Sequence, residues 1–340
     1  MKAAVFRDGD IVVGDIPEPR PAAGQVLVKT LACGICGSDL HAARHAPNMV
    51  AMSKRVPGRV AMDLSRDIVF GHEFCCEVLD YGPGTERRLK PGARAVSMPV
   101  MPLSAETRTT IGYSNDFPGG YAERMVLAAP LLLEVPNGLS SDHAALTEPL
   151  AVGIHAAEKA ASAKDDVPLV IGCGPVGLAA IVGLRLKGVH PIIAADFSPK
   201  RRELAARMGA DIVIDPAKET PYGKLPIGRR AVIFECVGVP GLLQQVFEAA
   251  PRDARIVVAG VCMEPDRIEP FFGIVKELSL QFVLGYTPEE FARCLRLLAD
   301  GEVDAAALIS GKVGIAGVKG AFAELANPER HTKILVEPWR

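Results

Sequence analysis

Between residues 168 and 284 the chain alternates six short, β-rich apolar runs with helical stretches. The runs are PLVIG, PIIAAD, DIVID, AVIFEC, ARIVVAG and LSLQFVLG. Strands covered on both faces read as continuous apolar runs, and parallel neighbours need a crossover between them, usually a helix. The pattern therefore predicts an α/β fold with a doubly wound, six-stranded parallel sheet. The stretch PKRRELAARMG illustrates the helices: Pro199 stands near the start, Leu204, Ala205 and Met208 share one face, and Gly209 stops it.

Before residue 150 the rhythm differs. QVLVKTLACG, VFGHEFCCEVLDYG, ARAVSMPV and YAERMVLAA are short strands between Gly and Pro turns, with little helix expected until about 142. A helix in PEEFARCLRLLADGEVD and a closing strand in TKILVEP follow residue 287, and these last fifty or so residues are too few to bury a core alone. The expected organisation is a β-rich domain of residues 1–151 and 287–340, interrupted by a dinucleotide-binding domain of 152–286. A length of 340 residues suits two such domains.

Composition excludes several classes of function. Charged residues make up 23% of the chain and the net charge is -2 with both signs interspersed, so no basic stripe offers itself to nucleic acid or to anionic lipid. The N-terminal MKAAVFRDGDIVVGD is broken by charges and reads as a strand pair, not a secretory signal. VPLVIGCGPVGLAAIVGL, at 167–184, is long and uncharged enough to span a membrane, but its glycines and proline favour a buried strand, turn and helix. Eight scattered cysteines without a secretory signal argue against a disulfide framework and for a cytoplasmic protein. Cys75, Cys76, Cys173, Cys236 and Cys294 lie in apolar runs and are expected to fill the core.

The first β-rich run leads into Gly172, Gly174 and Gly177 in G-x-G-x-x-G spacing, followed by a helical stretch. The first glycine permits the tight turn, the second admits a pyrophosphate to the backbone, and the third brings helix against strand, with free N–H groups facing the phosphates. Pro175 and Val176 open that helix. Asp196 ends the next strand, nineteen residues beyond Gly177, where a carboxylate accepts hydrogen bonds from ribose hydroxyls and repels a 2′-phosphate. NAD is the expected dinucleotide. Arg201, either a phosphate or adenine contact or a solvated helix residue, together with Gly260, Val261 and Leu284 near the ends of the fifth and sixth runs, completes the candidate cofactor contacts.

LACGICGSDLH, at 31–41, concentrates two cysteines, a serine, an aspartate and a histidine. A catalytic zinc takes three protein ligands from cysteine, histidine and carboxylate and keeps one position open. Cys36, His72 and Glu73 in FGHEF, and Glu148 in TEPLAVGIHA, supply those residue types. The segments GICGSDLH, GHE, EPLAVGIHA and GCGPVG occur in the order found in the zinc-dependent medium-chain dehydrogenase/reductase (alcohol dehydrogenase) family, and the chain resembles that family over nearly its whole length. The resemblance implies a GroES-like catalytic domain and a Rossmann domain. It implies Cys36, His72 and Glu148 as zinc ligands, with Glu73 as an alternate ligand or adjacent acid. It also implies a proton path from the substrate hydroxyl through Ser38 and the NAD ribose to His41, with Asp39 holding a ligand in place.

Glutamate at 148 resembles the sorbitol and threonine dehydrogenase-like branch. Ala42 and Gly285 stand where the sorbitol enzyme carries a tyrosine and an arginine, and the link from 42 to 70 is longer than usual. Residues 95–118 contain no cysteine, so one catalytic zinc and no structural zinc is expected, with Cys33 a buried thiol. The expected activity is hydride transfer between NAD and a small secondary alcohol, diol, polyol or amino-alcohol and its carbonyl form. A zinc-independent quinone or alkene reductase and a non-catalytic NAD-binding protein are the alternatives. The apolar sixth strand and the family pattern imply a homodimer or homotetramer.

Overall fold

A computed structural model of the chain describes residues 1–327 and 329–340, which fall into two compact units, Met1–Glu148 with Phe291–Arg340, and Pro149–Glu290. The first unit opens with strands β1 (Lys2–Arg7) and β2 (Asp10–Asp15), an antiparallel pair joined through Asp8 and Gly9. Both turn residues have positive φ, 50° and 83°, as a two-residue hairpin requires. The main sheet is built on β3 (Gln25–Gly34), which pairs antiparallel with β4 (Glu73–Tyr81). β5 (Arg94–Ser97) continues from β4, a hairpin of β6 (Val100–Pro102) and β7 (Arg108–Thr110) follows in the chain, β8 (Arg124–Ala128) pairs with the first half of β3, and β9 (Leu132–Glu134) closes on β5.

Beyond its bulges, the far end of β3 has a second neighbour, the strand Ile334–Val336, so that Gly34 lies opposite Glu73 on one side and Leu335 on the other. This register brings three distant segments to one point. A Cβ on Gly34 would sit 2.0 Å from Glu73 Oε2, so any side chain there would displace the Glu73 carboxylate.

Helix enters this unit earlier than expected. Two eight-residue helices, α1 (Gly37–Arg44) and α2 (Ala46–Ser53), follow β3. Asp39 stands in the first turn of α1, where an acid suits the helix dipole, and α2 buries Ala46, Met49 and Ser53 at spacings of three and four. Both stripes are too short to stand out from a β-rich background. The helices α3 (Ser141–Ala145) and α4 (Thr147–Lys159) come next.

The second unit carries the parallel sheet that the alternating runs predict. Its strands are β10 (Val167–Ile171), β11 (Ile193–Ala195), β12 (Ile212–Ile214), β13 (Ala231–Glu235), β14 (Arg255–Val258) and β15 (Ser279–Phe282), in the order β12-β11-β10-β13-β14-β15. Every pair is parallel. Order reverses at β10, the switch point at which such sheets bind ligands. The crossovers include α5 (Pro175–Leu186), α6 (Pro199–Met208), α7 (Leu242–Ala249) and α8 (Pro270–Val275). Leu169, Ile193, Ile233, Val246, Phe247 and Ile256 pack in one core on a face of the sheet. Full burial of each such side chain is worth about 1.5–3 kcal/mol.

Ser198 caps α6 by accepting from Arg201 N–H at 3.3 Å, and Gly209 ends it at φ 117°. The uncharged stretch 167–184 is β10, a turn and most of α5, and among the described residues no helix is long and apolar enough to cross a membrane. Of the five cysteines expected in the core, Cys75, Cys76, Cys173 and Cys294 are buried, whereas Cys236, just past the end of β13, is partly exposed.

Candidate active site

Cys36 immediately precedes α1, and His72 and Glu73 stand where the chain enters β4. The register at Gly34 therefore sets all three side chains around one corner of the sheet. A sulfur of Cys36, a ring nitrogen of His72 and a carboxylate oxygen of Glu73 lie within 4.8 Å of one another. Ligands on a tetrahedral zinc, at about 2.0–2.3 Å from the ion, are separated by about 3.5 Å. The trio needs little adjustment to hold such an ion. Glu148, buried in the first turn of α4, is not part of it.

Two buried charges hold the trio in place. Asp39 has no solvent exposure, and its Oδ2 accepts from Cys36 N–H at 3.1 Å and from the Tyr121 hydroxyl at 2.7 Å. Its Oδ1 accepts from the Tyr113 hydroxyl at 2.8 Å and lies 3.2 Å from His72 Nδ1, which leaves Nε2 as the ring nitrogen available to a metal. The Tyr113 ring tilts over the His72 ring at 5.3 Å. On the other side Lys333 donates to both oxygens of Glu73, at 2.7 and 2.6 Å, and to Ile35 O at 3.1 Å.

The electrostatics favour positive charge here. Burial disfavours a charged imidazole at His72, but Asp39 and then Cys36 outweigh it and hold His72 well above the ordinary 6.5. Burial likewise opposes the Lys333 ammonium, yet Glu73, Cys36 and Glu148 raise it above 10.5. A field that stabilises cationic side chains also stabilises a bound cation, and a cysteine, histidine and carboxylate donor set is the type that zinc takes.

Ser38 Oγ bonds the Tyr113 hydroxyl at 2.9 Å. His41 lies one helical turn further on, half-buried, its ring stacked on His45 at 6.4 Å. Burial, reinforced by His45 and Arg44, lowers its imidazole below 6.5. Ala42 is fully buried on α1.

In the second unit the glycine turn has the form the spacing predicts. Gly172 has φ 89°, and a Cβ on Gly177 would lie 1.9 Å from Gly172 O. Gly174 caps α5 with Pro175 as its first residue, and a Cβ on Gly174 would find only Arg201 Nη1, at 4.0 Å. That open backbone is the cradle a pyrophosphate needs. Val176 is half-buried beside it. Asp196 Oδ2 accepts from Cys173 N–H at 2.7 Å and Oδ1 from Ser198 N–H at 2.8 Å, so one lone pair on each oxygen remains for ribose hydroxyls. Arg201 Nη1 is 3.9 Å from Asp196 Oδ2, while its buried Nε has no hydrogen-bond partner. Gly260 is pressed between Gly238 and Glu235, Val261 is 43% exposed and Leu284 79% exposed, and Gly285 has φ 68°.

Residues 22–137 match the alcohol dehydrogenase GroES-like domain family, and residues 175–300 match the zinc-binding dehydrogenase family. The chain is 31% identical to the (R,R)-butanediol dehydrogenase of Bacillus subtilis (strain 168), over 99% of its own length and all of that protein's. The chain belongs to the zinc-dependent medium-chain alcohol dehydrogenase family. It is also 26% identical to the sorbitol dehydrogenase of Gallus gallus, covering 95% of this chain and 92% of that one. A zinc-binding dehydrogenase from Sinorhizobium meliloti 1021 bound to NADP superposes with a TM-score of 0.81 at 26% identity, covering 99% of each chain. Membership makes the protein an oxidoreductase acting on an alcohol and its carbonyl counterpart.

Three residues of this alcohol dehydrogenase site escape a reading of the sequence. Lys333 is 260 positions from Glu73, inside what reads as an ordinary closing strand. The signal for it is indirect: an acid inside the apolar run VFGHEFCC must find a cation, and a lysine directly before ILV is a candidate. Tyr113 and Tyr121 lie in the glycine-rich stretch after β7, where nothing in the sequence ties them to Asp39.

Proposed function

We propose that the protein is an NAD-linked dehydrogenase of small secondary alcohols or vicinal diols, dependent on a single zinc ion held by Cys36, His72 and a carboxylate. The observation that carries this reading is the trio of half-buried Cys36 with buried His72 and Glu73, supported by Asp39 on one side and Lys333 on the other. Glu73 is pinned by two bonds to Lys333, so Glu148 is the third ligand we assign, with Glu73 the alternate. The bound ion would supply Lewis-acid polarisation of the substrate oxygen, which eases loss of its proton. Ser38 would accept that proton and pass it on towards His41, whose lowered affinity for protons keeps it neutral and receptive at neutral pH. Asp39 keeps His72 turned so that Nε2 is presented.

Asp196 favours NAD. Arg202 donates to the Asp196 and Phe197 carbonyls and pairs with Asp215 at 3.3 Å, which leaves Arg201 as the residue able to admit some NADP. The edge strand β15 leaves Leu280 37% and Phe282 64% exposed, with Phe271 and Ile274 of α8 exposed in the same unit. A second copy pairing along that edge would cover them, so we assign a homodimer or a dimer of dimers. Eight free thiols suit the cytoplasm.

The test is NADH formation by zinc-loaded protein across secondary alcohols, vicinal diols, polyols and amino-alcohols. Turnover strongest with a secondary alcohol or vicinal diol is expected. No alcohol-dependent reduction of either dinucleotide would overturn the reading.

A further inference from the structure

The hydrogen bonds around Asp39 have a fixed direction. Its carboxylate accepts three hydrogen bonds, from Cys36 N–H and the Tyr121 hydroxyl on Oδ2 and from the Tyr113 hydroxyl on Oδ1, with His72 Nδ1 a further 3.2 Å charge contact at Oδ1 that is not aligned as a hydrogen bond. Asp39 is therefore an acceptor only, so the single proton of Tyr113 points at it. The Tyr113 oxygen is then left as an acceptor, and in its 2.9 Å contact with Ser38 the serine must be the donor. Ser38 has one proton too. With that proton directed at Tyr113, its remaining lone pairs are free to accept.

We propose that Tyr113 is a positioning residue that fixes the polarity of Ser38, so that Ser38 meets the substrate as a hydrogen-bond acceptor and the site prefers an alcohol hydroxyl to a carbonyl oxygen. The inference rests on the reading of Ser38 as the proton acceptor. An alcohol can donate to a serine held this way, whereas a ketone can only accept and must first turn the Ser38 proton away from Tyr113. In the forward direction the alcohol O–H proton passes to Ser38 Oγ as the serine's own proton leaves Tyr113 for the next hydroxyl or water towards His41. Tyr113 keeps its proton on Asp39 throughout and neither gains nor loses charge. Burial, with Asp39 and Cys36 nearby, pushes its phenol well above the ordinary 10, which agrees with that passive part.

The test compares wild type, Tyr113→Phe, Ser38→Ala and the double variant, each with zinc content measured, using 2-butanol with NAD and 2-butanone with NADH. Losing the polarity of one hydrogen bond should raise the alcohol KM and lower the ketone KM, each about threefold to fivefold, while a merely structural role would move both in the same direction. In the Ser38→Ala background the Tyr113→Phe change should move neither constant. Parallel movement of the two KM values, or an effect that persists without Ser38, overturns the inference. Normal alcohol oxidation by Ser38→Ala would remove the relay itself, and the part of Tyr113 with it. A measurement that does not depend on turnover or on a folded Tyr113→Phe uses carbon-13 at the tyrosine Cζ. The chain has five tyrosines, and Ser38→Ala should displace one buried tyrosine signal, whereas an unchanged spectrum overturns the inference.

Discussion

Replacing Lys333 by methionine tests how the active-site corner is held together. The side chains of Lys333 and Glu73 are 2% and 0% exposed, so solvent does little to screen the pair. At a separation of 2.6–2.7 Å and an effective dielectric near 20, the attraction is about 6 kcal/mol. Removing the ammonium also removes its desolvation penalty, and measured losses on breaking buried pairs are about 3–5 kcal/mol. The Ile35 carbonyl loses its lysine donor in the same step. Urea unfolding of zinc-free protein, followed through the fluorescence of Trp339, reads the first unit directly, because this is the chain's only tryptophan and its indole donates to Thr30 O at 2.9 Å.

Lys333→Met should lose about 3–5 kcal/mol in that assay. Adding Glu73→Gln should restore a large part, and zinc should narrow the gap by compensating Glu73. The sign of the pH dependence follows from Lys333 being held above 10.5: the pair contributes fully below that value and is lost as pH rises through the higher, folded-state one. The gap between wild type and Lys333→Met should accordingly be flat across the neutral range and close only in strong alkali. A loss below about 1 kcal/mol, or a double variant as unstable as the single, would refute the reasoning.

Four further outcomes are expected. Metal analysis should find one zinc per chain, abolished by Cys36→Ser and retained by Cys33→Ser, with Glu148→Gln weakening zinc more than Glu73→Gln. The ratio of kcat/KM for NAD to that for NADP should exceed one and fall in Asp196→Ala, as steady-state assays with both dinucleotides will read. His41→Ala should slow alcohol oxidation about tenfold, partly restored by imidazole buffer, with zinc content unchanged. Because His45 helps to lower His41, His45→Gln should move the acid limb of the rate profile upwards, towards 6.5.

The second unit was legible in the sequence because its signals are local. A strand buried on both faces must be almost wholly apolar, as β10 and β11 are throughout and β13 is up to its last residue, Glu235, and the glycine turn is dictated by close approaches within a few residues, such as Gly177 to the Gly172 carbonyl. The helices α1 and α2 were not legible: eight residues with two or three buried positions leave almost no periodic trace. At the site, residue type supplied Cys36, His72, Glu73 and Glu148 as candidates and the resemblance to the family paired them, with Glu73 only as the alternate to Glu148, whereas the structure groups Cys36 and His72 with Glu73. Their supports were hidden for a different reason. Tyr113 and Tyr121 reach Asp39 across 74 and 82 positions, and Lys333 reaches Glu73 across 260, through the path of the sheet rather than through any pattern along the chain.

The 260 residues between Glu73 and Lys333 are also an interval of time. At about 5–20 residues per second, a ribosome places Lys333 roughly 13–52 s after Glu73. During that interval β3 and β4 are already available to pair and to carry Glu73 towards the corner at Gly34, but the ammonium destined for it does not exist. Until then the carboxylate on the nascent chain must stay hydrated, take up a proton or capture a cation. The corner at Gly34 is therefore assembled with its acid first and its counter-ion last, and any cation that arrives early meets a Glu73 not yet claimed by lysine.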